Sequence, residues 1–408
     1  MSANTGPATA SGQTTALGII FAVSGAHLLN DLLQFLLPAL YPLLKETYDL
    51  NYLQIGLLTL GQQITACILQ PLFGLQGDLK PKPLWLPLSL AIVSVGVVAL
   101  ATANGFALLM VAAVVLGIGS ALFHPEASRL ARLASGGKLG FAQSLFQVGG
   151  NLGTAFGPLA AALILLPLGQ FTTLWFVLAG FAGVALLSYV GRWYAEHQRQ
   201  ISSRPAVAPR KPALSRDRLI VAFAVIGALL LSKFIYIETL KSYYSFFLIE
   251  KFDLSAQDAQ LYLFLFLGAV AAGTFIGGPV GDRYGRLAVI WVSILGSLPF
   301  TLLMPYLDLF WTATMSVMTG LILSSAFSAM VVYAQELVPG KVGMIAGFVF
   351  GFAFGVGALG AAAMGALADW IGIVAVFQIC AFLPALGFLT ILLPRTAELH
   401  PESREKLA

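Results

Sequence analysis

"PLFGLQGD" at residues 71–78 returns as "FIGGPVGD" at residues 275–282. Gly74, Gly77 and Asp78 align with Gly278, Gly281 and Asp282. Further along, "GKLG" at 137–140 matches "GKVG" at 340–343, and Glu126 stands before the first as Glu336 stands before the second. The offsets run from 203 to 210 residues, about half of the 408-residue chain. A period of that length marks a duplicated unit.

Composition decides what kind of unit is duplicated. The chain is 58% hydrophobic and 10% charged, with a mean hydropathy of +0.88. Soluble domains run at about 45–50% apolar and about 25% charged. A soluble enzyme, a disordered chain and a secreted disulfide scaffold are therefore excluded. Cys67 and Cys380 both sit in apolar runs and read as small hydrophobes, not as a disulfide or metal pair. The net charge of +4 is weak ground for nucleic-acid binding, and none is expected. A helix crosses about 30 Å of hydrocarbon with roughly 20 apolar residues. Breaks at Gly, Pro and charge clusters give twelve such spans, near 17–44, 51–75, 84–103, 105–130, 140–166, 172–194, 219–249, 257–280, 287–306, 311–335, 342–368 and 373–393.

With a cytoplasmic N-terminus, 18 of the 22 Lys and Arg fall on the inner side. Lys45 and Lys251 alone lie in outer loops, and Lys233 and Lys241 fall within span seven. This is the sidedness expected of a multi-pass protein of a bacterial inner membrane with both termini cytoplasmic. The chain divides into a tail (1–16), a six-helix half (17–194), a Pro- and Arg-rich linker (195–218), a second six-helix half (219–393) and a tail (394–408). Six is even, so the halves face the same way. A parallel repeat leaves a central cavity that can open to either side.

These segments carry a resemblance. "GDRYGR" at 281–286 resembles the inner-loop motif of the major facilitator superfamily, with "GDLKPK" at 77–82 as a degraded copy. "GGNLGTAFGP" at 149–158 resembles the Gly-Pro motif of its proton-driven exporters. More narrowly, several long segments are similar to the fosmidomycin resistance protein family: "HLLNDLLQFLLPALYPLL" (27–44), "FHPEASRLARLASGGKLGFAQSLFQVGGNLG" (123–153), "GGPVGDRYGR" (277–286), "SYYSFFL" (242–248), "FSAMVVYAQELVPG" (327–340) and "ICAFLPALG" (379–387). The resemblance covers nearly all of the chain after residue 16. It implies an all-α fold of twelve membrane helices and a proton-driven exporter of a phosphonate antibiotic. One departure stands out. Many exporters of the superfamily carry an Arg midway along span four, where this chain reads "LLMVAAVVLGIG". A proton relay built on that Arg does not carry over.

Ionisable groups in hydrocarbon cost at least about 2.5–3.5 kcal/mol each and are functional candidates by default. On span one, His27, Asn30, Asp31 and Gln34 share one helical face. Asp31 lies roughly 21 Å into the span at about 1.5 Å per residue. An acid removed from water favours its neutral form, so it can exchange protons near neutral pH, and His titrates in the same range. Asp31 is read as the proton-coupling site and His27 as its modulator, against the plainer reading of a polar contact between helices. On span seven, Glu238 and Lys241 can pair at i, i+3. Lys233 has no local partner and, with Tyr236, is read as substrate-binding, because Lys suits an anionic ligand. Alternatively Lys233 reaches the interface or pairs with Asp31. Asn30, Gln34, Gln147 and Asn151 are expected to complete the substrate site, with interhelical hydrogen bonding as the alternative for the span-five amides. Gly149, Gly153 and Gly157 form an adjacent stripe for close helix packing.

At the inner ends, Asp78, Glu126, Arg129, Asp282, Arg286 and Glu336 are expected to gate. Asp78 with Arg129 and Asp282 with Arg286 are the pairs that the superfamily resemblance implies. Helix capping is the alternative. His124 is a second candidate relay. Among motifs for ATP, zinc or acyl chemistry, none occurs, so no enzyme activity, cofactor or metal centre is expected. The expected function is export of a small anionic drug in exchange for protons, by a carrier that acts as a monomer in the lipid bilayer. Uptake symport of an organic anion and a non-transporting ligand sensor are the alternatives.

Overall fold

The structure is a computed structural model that describes residues 15–79, 82–136, 139–201, 214–338, 342–394 and 398. Among these residues, twelve helices are long and apolar enough to cross a membrane, and no strand occurs. The first half holds α1 (Leu17–Tyr48), α2 (Tyr52–Gly77), α3 (Trp85–Thr102), α4 (Phe106–Ala134), α5 (Phe141–Leu168) and α6 (Gln170–His197). The second holds α7 (Arg216–Phe252), α8 (Ala256–Gly277), α9 (Arg286–Tyr306), α10 (Leu309–Leu337), α11 (Phe348–Ile371) and α12 (Ile373–Leu392). The expected tails lie mostly outside the described residues, as does the middle of the linker, whose ends at 195–201 and 216–218 continue the flanking helices.

The duplication is visible in the backbone corners. Helices α1 and α7 both end on an aspartate in the left-handed region, Asp49 (φ 48°) and Asp253 (φ 56°). Short polar side chains tolerate this conformation better than most. The α5–α6 and α11–α12 corners turn on Gly169 (φ 89°) and Gly372 (φ 84°), where a Cβ would be strained. These pairs keep offsets of 204 and 203 residues.

Glycines set the closest helix pairs. Built on Gly149 or Gly153, a Cβ would collide with backbone carbonyls of α1, at Ser24 and Leu28. The glycine stripe of α5 therefore lies flat on α1. The halves meet through α2 against α11 and α5 against α8. Helices α3, α6, α9 and α12 stand outside them. Their outer faces are apolar: Trp175, Leu178 and Phe181 of α6 and Phe388 and Ile391 of α12 are exposed. Water would penalise such a surface, whereas acyl chains accept it.

Both described chain ends lie at one end of the bundle. The Ala16 amide donates to the Ala134 carbonyl at 2.9 Å, at the end of α4. The Tyr333 hydroxyl donates to the Pro394 carbonyl at 2.6 Å, near the end of α10. We call this the terminal end, and the end with Asp49, Tyr52 and Asp369 the far end.

Candidate functional site

Helix α1 is bent where it borders the interior. Pro38 has no N–H to give to the Gln34 carbonyl four residues back, and the helix breaks at Leu40. The Gln62 side-chain amide of α2 takes over that carbonyl at 3.2 Å. The bend opens a cavity between the halves. It is lined by Asp31, Gln34, Phe35, Pro38 and Tyr41 of α1, and by Thr59, Gln62, Gln63, Ala66 and Gln70 of α2. Ser120 and His124 of α4, Thr154 of α5, Glu238 and Lys241 of α7 and Phe354 of α11 complete it. Both halves contribute, and most of the lining residues carry a polar group, set among apolar surface.

At one wall His27, Asp31 and His124 converge. His27 Nε2 lies 3.3 Å from Asp31 Oδ2 and 3.3 Å from His124 Nε2, and His124 Nε2 lies 3.7 Å from Asp31 Oδ1. The opposite ring nitrogens are spoken for. His27 Nδ1 is 2.8 Å from the Phe146 carbonyl, and His124 Nδ1 is 3.0 Å from the Ser120 carbonyl. A carbonyl only accepts, so each Nδ1 carries the proton. In the neutral rings both Nε2 atoms are then bare acceptors facing an acceptor carboxylate. Such a group needs a donor or a cation within it, and a shared cation also offsets the carboxylate charge. The three ligand atoms lie within 4.8 Å of one another, close enough for one small cation, a proton or a metal ion, to touch all three. Asn30, fully buried, donates to Asp31 Oδ1 at 2.8 Å. Phe146 stacks on His27 at 4.1 Å between ring centroids.

Gly150 makes the cluster possible. A Cβ there would fall on the His27 ring and 2.7 Å from Asp31 Oδ2. Across the cavity, Lys241 Nζ is 3.7 Å from Glu238 Oε2, and the Gln63 amide donates to Glu238 Oε1 at 2.5 Å. Gln34 and Glu238 are equivalent in the repeat, at the same 204-residue offset as Asp49 and Asp253.

Other expected site residues stand elsewhere. Lys233 does not line this cavity. It is 2% exposed, with Nζ 3.5 Å from the Ser324 carbonyl and 5.4 Å from the centroid of the Phe327 ring. Ser324 ends the first segment of α10, which breaks at Ser325. An ammonium there meets the negative end of a helix. The alternative pairing of Lys233 with Asp31 is not formed. Tyr236 is fully buried within the second half, also away from the cavity. Gln147 and Asn151 are half-buried on the α5 face that carries Thr154, but they do not line the cavity.

At the terminal end, Arg129 Nη1 pairs with Glu126 Oε1 at 2.6 Å and Nη2 donates to the Gly74 carbonyl at 2.9 Å. A Cβ on Gly77 would collide with both members of that pair. The spacing of glycines before Asp78 thus lets the end of α2 rest on a buried ion pair of α4. In the second half Arg286 pairs with Glu336. The side chains of Asp78 and Asp282 lie outside the described ones.

A polar cavity between two like-facing six-helix halves defines a membrane carrier. The Major Facilitator Superfamily model matches residues 23–247 and 239–408, and the chain belongs to that superfamily. Within it the chain belongs to the fosmidomycin resistance protein family. It is 50% identical over 380 residues to the fosmidomycin resistance protein of Escherichia coli (strain K12), covering 93% of each chain. It is 39% identical over 393 residues to an uncharacterized MFS-type transporter, YfnC, of Bacillus subtilis (strain 168), covering 95% of each. The fold is shared with a bacterial homolog of the human lysosomal transporter Spinster, with a TM-score of 0.70 at 16% identity over 96% of this chain and 97% of that one.

Proposed function

We propose that this protein exports a small anionic compound, a fosmidomycin-like phosphonate, in exchange for protons by alternating access across a bacterial inner membrane. Both termini are cytoplasmic in this reading, so the terminal end is the inner mouth and the far end the outer one. The observation that carries the proton part is the convergence of His27 Nε2, His124 Nε2 and Asp31. Three acceptors bind a proton better as a set than any one of them alone. Asp31 and His124 reach the cavity, so that proton can be exchanged with water there. The charged groups facing it across the cavity are Glu238 and Lys241.

The anion site follows from charge. Lys241 is the one cation lining the cavity among the described residues. A phosphonate would take its ammonium from Glu238, and Gln63 would keep Glu238 hydrogen-bonded. Gln34 stays in the assignment, because it lines the cavity and its Nε2 is buried without a hydrogen-bond partner, whereas Asn30 is fully buried off the cavity and serves Asp31 instead of the substrate. Lys241 therefore replaces Lys233 as the anion-binding residue, and Tyr236, Gln147 and Asn151 lose their direct role. At the inner mouth the pairs formed are Glu126–Arg129 and Arg286–Glu336, and in this reading they gate together with Asp78 and Asp282 of the Gly-Asp turns, whose expected pairing with Arg129 and Arg286 falls on side chains outside the described ones. Resistance to a drug requires moving it out of the cell against its gradient. Protons entering can drive that at about 2.3 kcal/mol per charge per 100 mV.

One observation favours a second reading, uptake by symport. With Asp31 and Glu238 ionised, Lys241 charged and one shared proton, the cavity is neutral. A further proton makes it positive and draws an anion in. Antiport requires the reverse, that the anion expel a proton. Purified protein titrated with fosmidomycin in weak buffer separates the two: proton release supports exchange, and proton uptake overturns it in favour of symport.

A further inference from the structure

At the far end, α2 begins with a reciprocal cap. The Gln54 amide donates to Asn51 Oδ1 at 2.8 Å and the Asn51 amide to Gln54 Oε1 at 3.0 Å. A helix opens with four amides that have no partner inside it. The two that this cap leaves, on Tyr52 and Leu53, are served by the other half of the molecule. Asp369 Oδ1 accepts from the Tyr52 amide and Oδ2 from the Leu53 amide, each at 2.8 Å. Asp369 closes α11, three residues before the Gly372 corner. A carboxylate spread over the first amides of a helix is held both by charged hydrogen bonds and by the positive end of the helix.

The surrounding seam is built for contact. A Cβ on Gly56 would lie 2.8 Å from the Ala361 carbonyl, and one on Gly365 would meet the Tyr52 carbonyl. The Tyr243 hydroxyl is 2.8 Å from the Ala361 carbonyl and 3.3 Å from that of Tyr52. The other charged groups nearby are Glu250, whose Oε2 accepts from the Tyr52 hydroxyl at 3.3 Å, and Lys45, 4.8 Å above the Tyr52 ring. Among the described residues, the repeat-related seam lacks this charge. The α8 helix is capped by its own Ser255, and its polar bond across the halves is a neutral one, from Gln257 Nε2 to the Ala162 carbonyl at 3.3 Å.

We propose that Asp369 is a latch that holds the far mouth shut by clamping the first turn of α2. Parting the halves at this end separates the carboxylate from both amides in one step, so the latch has two states. The proposal rests on the reading of the protein as an alternating-access carrier, but not on its substrate or its direction.

The test measures the mouth itself. Spin labels at Asn104→Cys and Tyr306→Cys place one reporter on each half at the far end, where both residues are exposed. The background is the full chain with Cys67→Ser and Cys380→Ser. Asp369→Ala is expected to raise the ratio of long to short distances at least about tenfold, the effect of losing charged hydrogen bonds. Asp369→Asn, which keeps one acceptor oxygen, falls between. Gly56→Leu, which wedges the same seam, shows the distance of the open mouth. If Gly56→Leu yields that distance while Asp369→Ala and Asp369→Asn match the parent, the latch is refuted. A latch that responds in a protein moving no substrate would remove the exporter reading and leave this one standing.

Discussion

His27 and His124 act through which nitrogen is free. Each ring gives its Nδ1 proton to a backbone carbonyl, so each presents a bare Nε2 to Asp31 and to the other. Replacing His124 by Asn is therefore expected to weaken proton retention without unfolding the protein, since Ser120 and the α4 backbone remain. The check is the pH dependence of transport, which should shift in His124→Asn and vanish in Asp31→Asn. Gly150 is the most exposed weakness of the cluster. Gly150→Ala pushes a methyl into His27 and Asp31 and should cost about 1–3 kcal/mol of stability, as overpacking does. Gly18→Ala, which meets nothing within 4 Å, is the matched control in a thermal unfolding series. The two lysines of α7 should part company. Lys241→Met is expected to weaken binding of a phosphonate at least about tenfold, as loss of a charged hydrogen bond does. Lys233→Met should leave affinity intact and lower the melting temperature, because its ammonium serves the broken end of α10.

At the scale of helices, proline and glycine place the polar groups. Pro38 frees the Gln34 carbonyl for Gln62 and bends α1 around the cavity. The α5 glycines bring Phe146 close enough to stack on His27. Gly77 does the same for α2 over Glu126 and Arg129. Gly77→Val should lift that end of α2 off the ion pair, destabilise the protein and slow turnover. Unfolding curves and transport rates of the variant measure both. The sequence revealed much at this scale. The twelve spans, the duplication and the glycine stripe follow from apolar run lengths and spacing, which are local properties. The polar stripe of His27, Asn30, Asp31 and Gln34 was equally plain, because a charge in an apolar run has few innocent explanations. What stayed hidden needed helix rotation. Lys233 and Lys241 lie eight residues apart on one helix, and no periodicity says which faces the other half. His124 reads as a separate relay at the inner end of α4, and only the packing of α4 on α1 brings it to Asp31. The amides of "GQQ" at 61–63 and Gln70 are visible polar marks in an apolar span, but their spacing alone does not set them on the cavity side.

The whole molecule is two six-helix halves joined along α2–α11 and α5–α8, with ionisable groups from both at the centre. In the proposed cycle the proton-holding cluster belongs to the first half and the Lys241–Glu238 pair to the second. Coupling then arises because opening either mouth changes the water and charge that both see. Such a carrier should move protons only with substrate. The most direct measurement uses proteoliposomes with a pH-reporting dye inside, an imposed pH gradient and fosmidomycin as substrate, comparing the parent with Asp31→Asn. The account predicts substrate and proton fluxes of opposite direction in the parent. In Asp31→Asn it predicts that substrate still binds but no longer responds to the gradient. Undiminished gradient-driven transport in Asp31→Asn would contradict it.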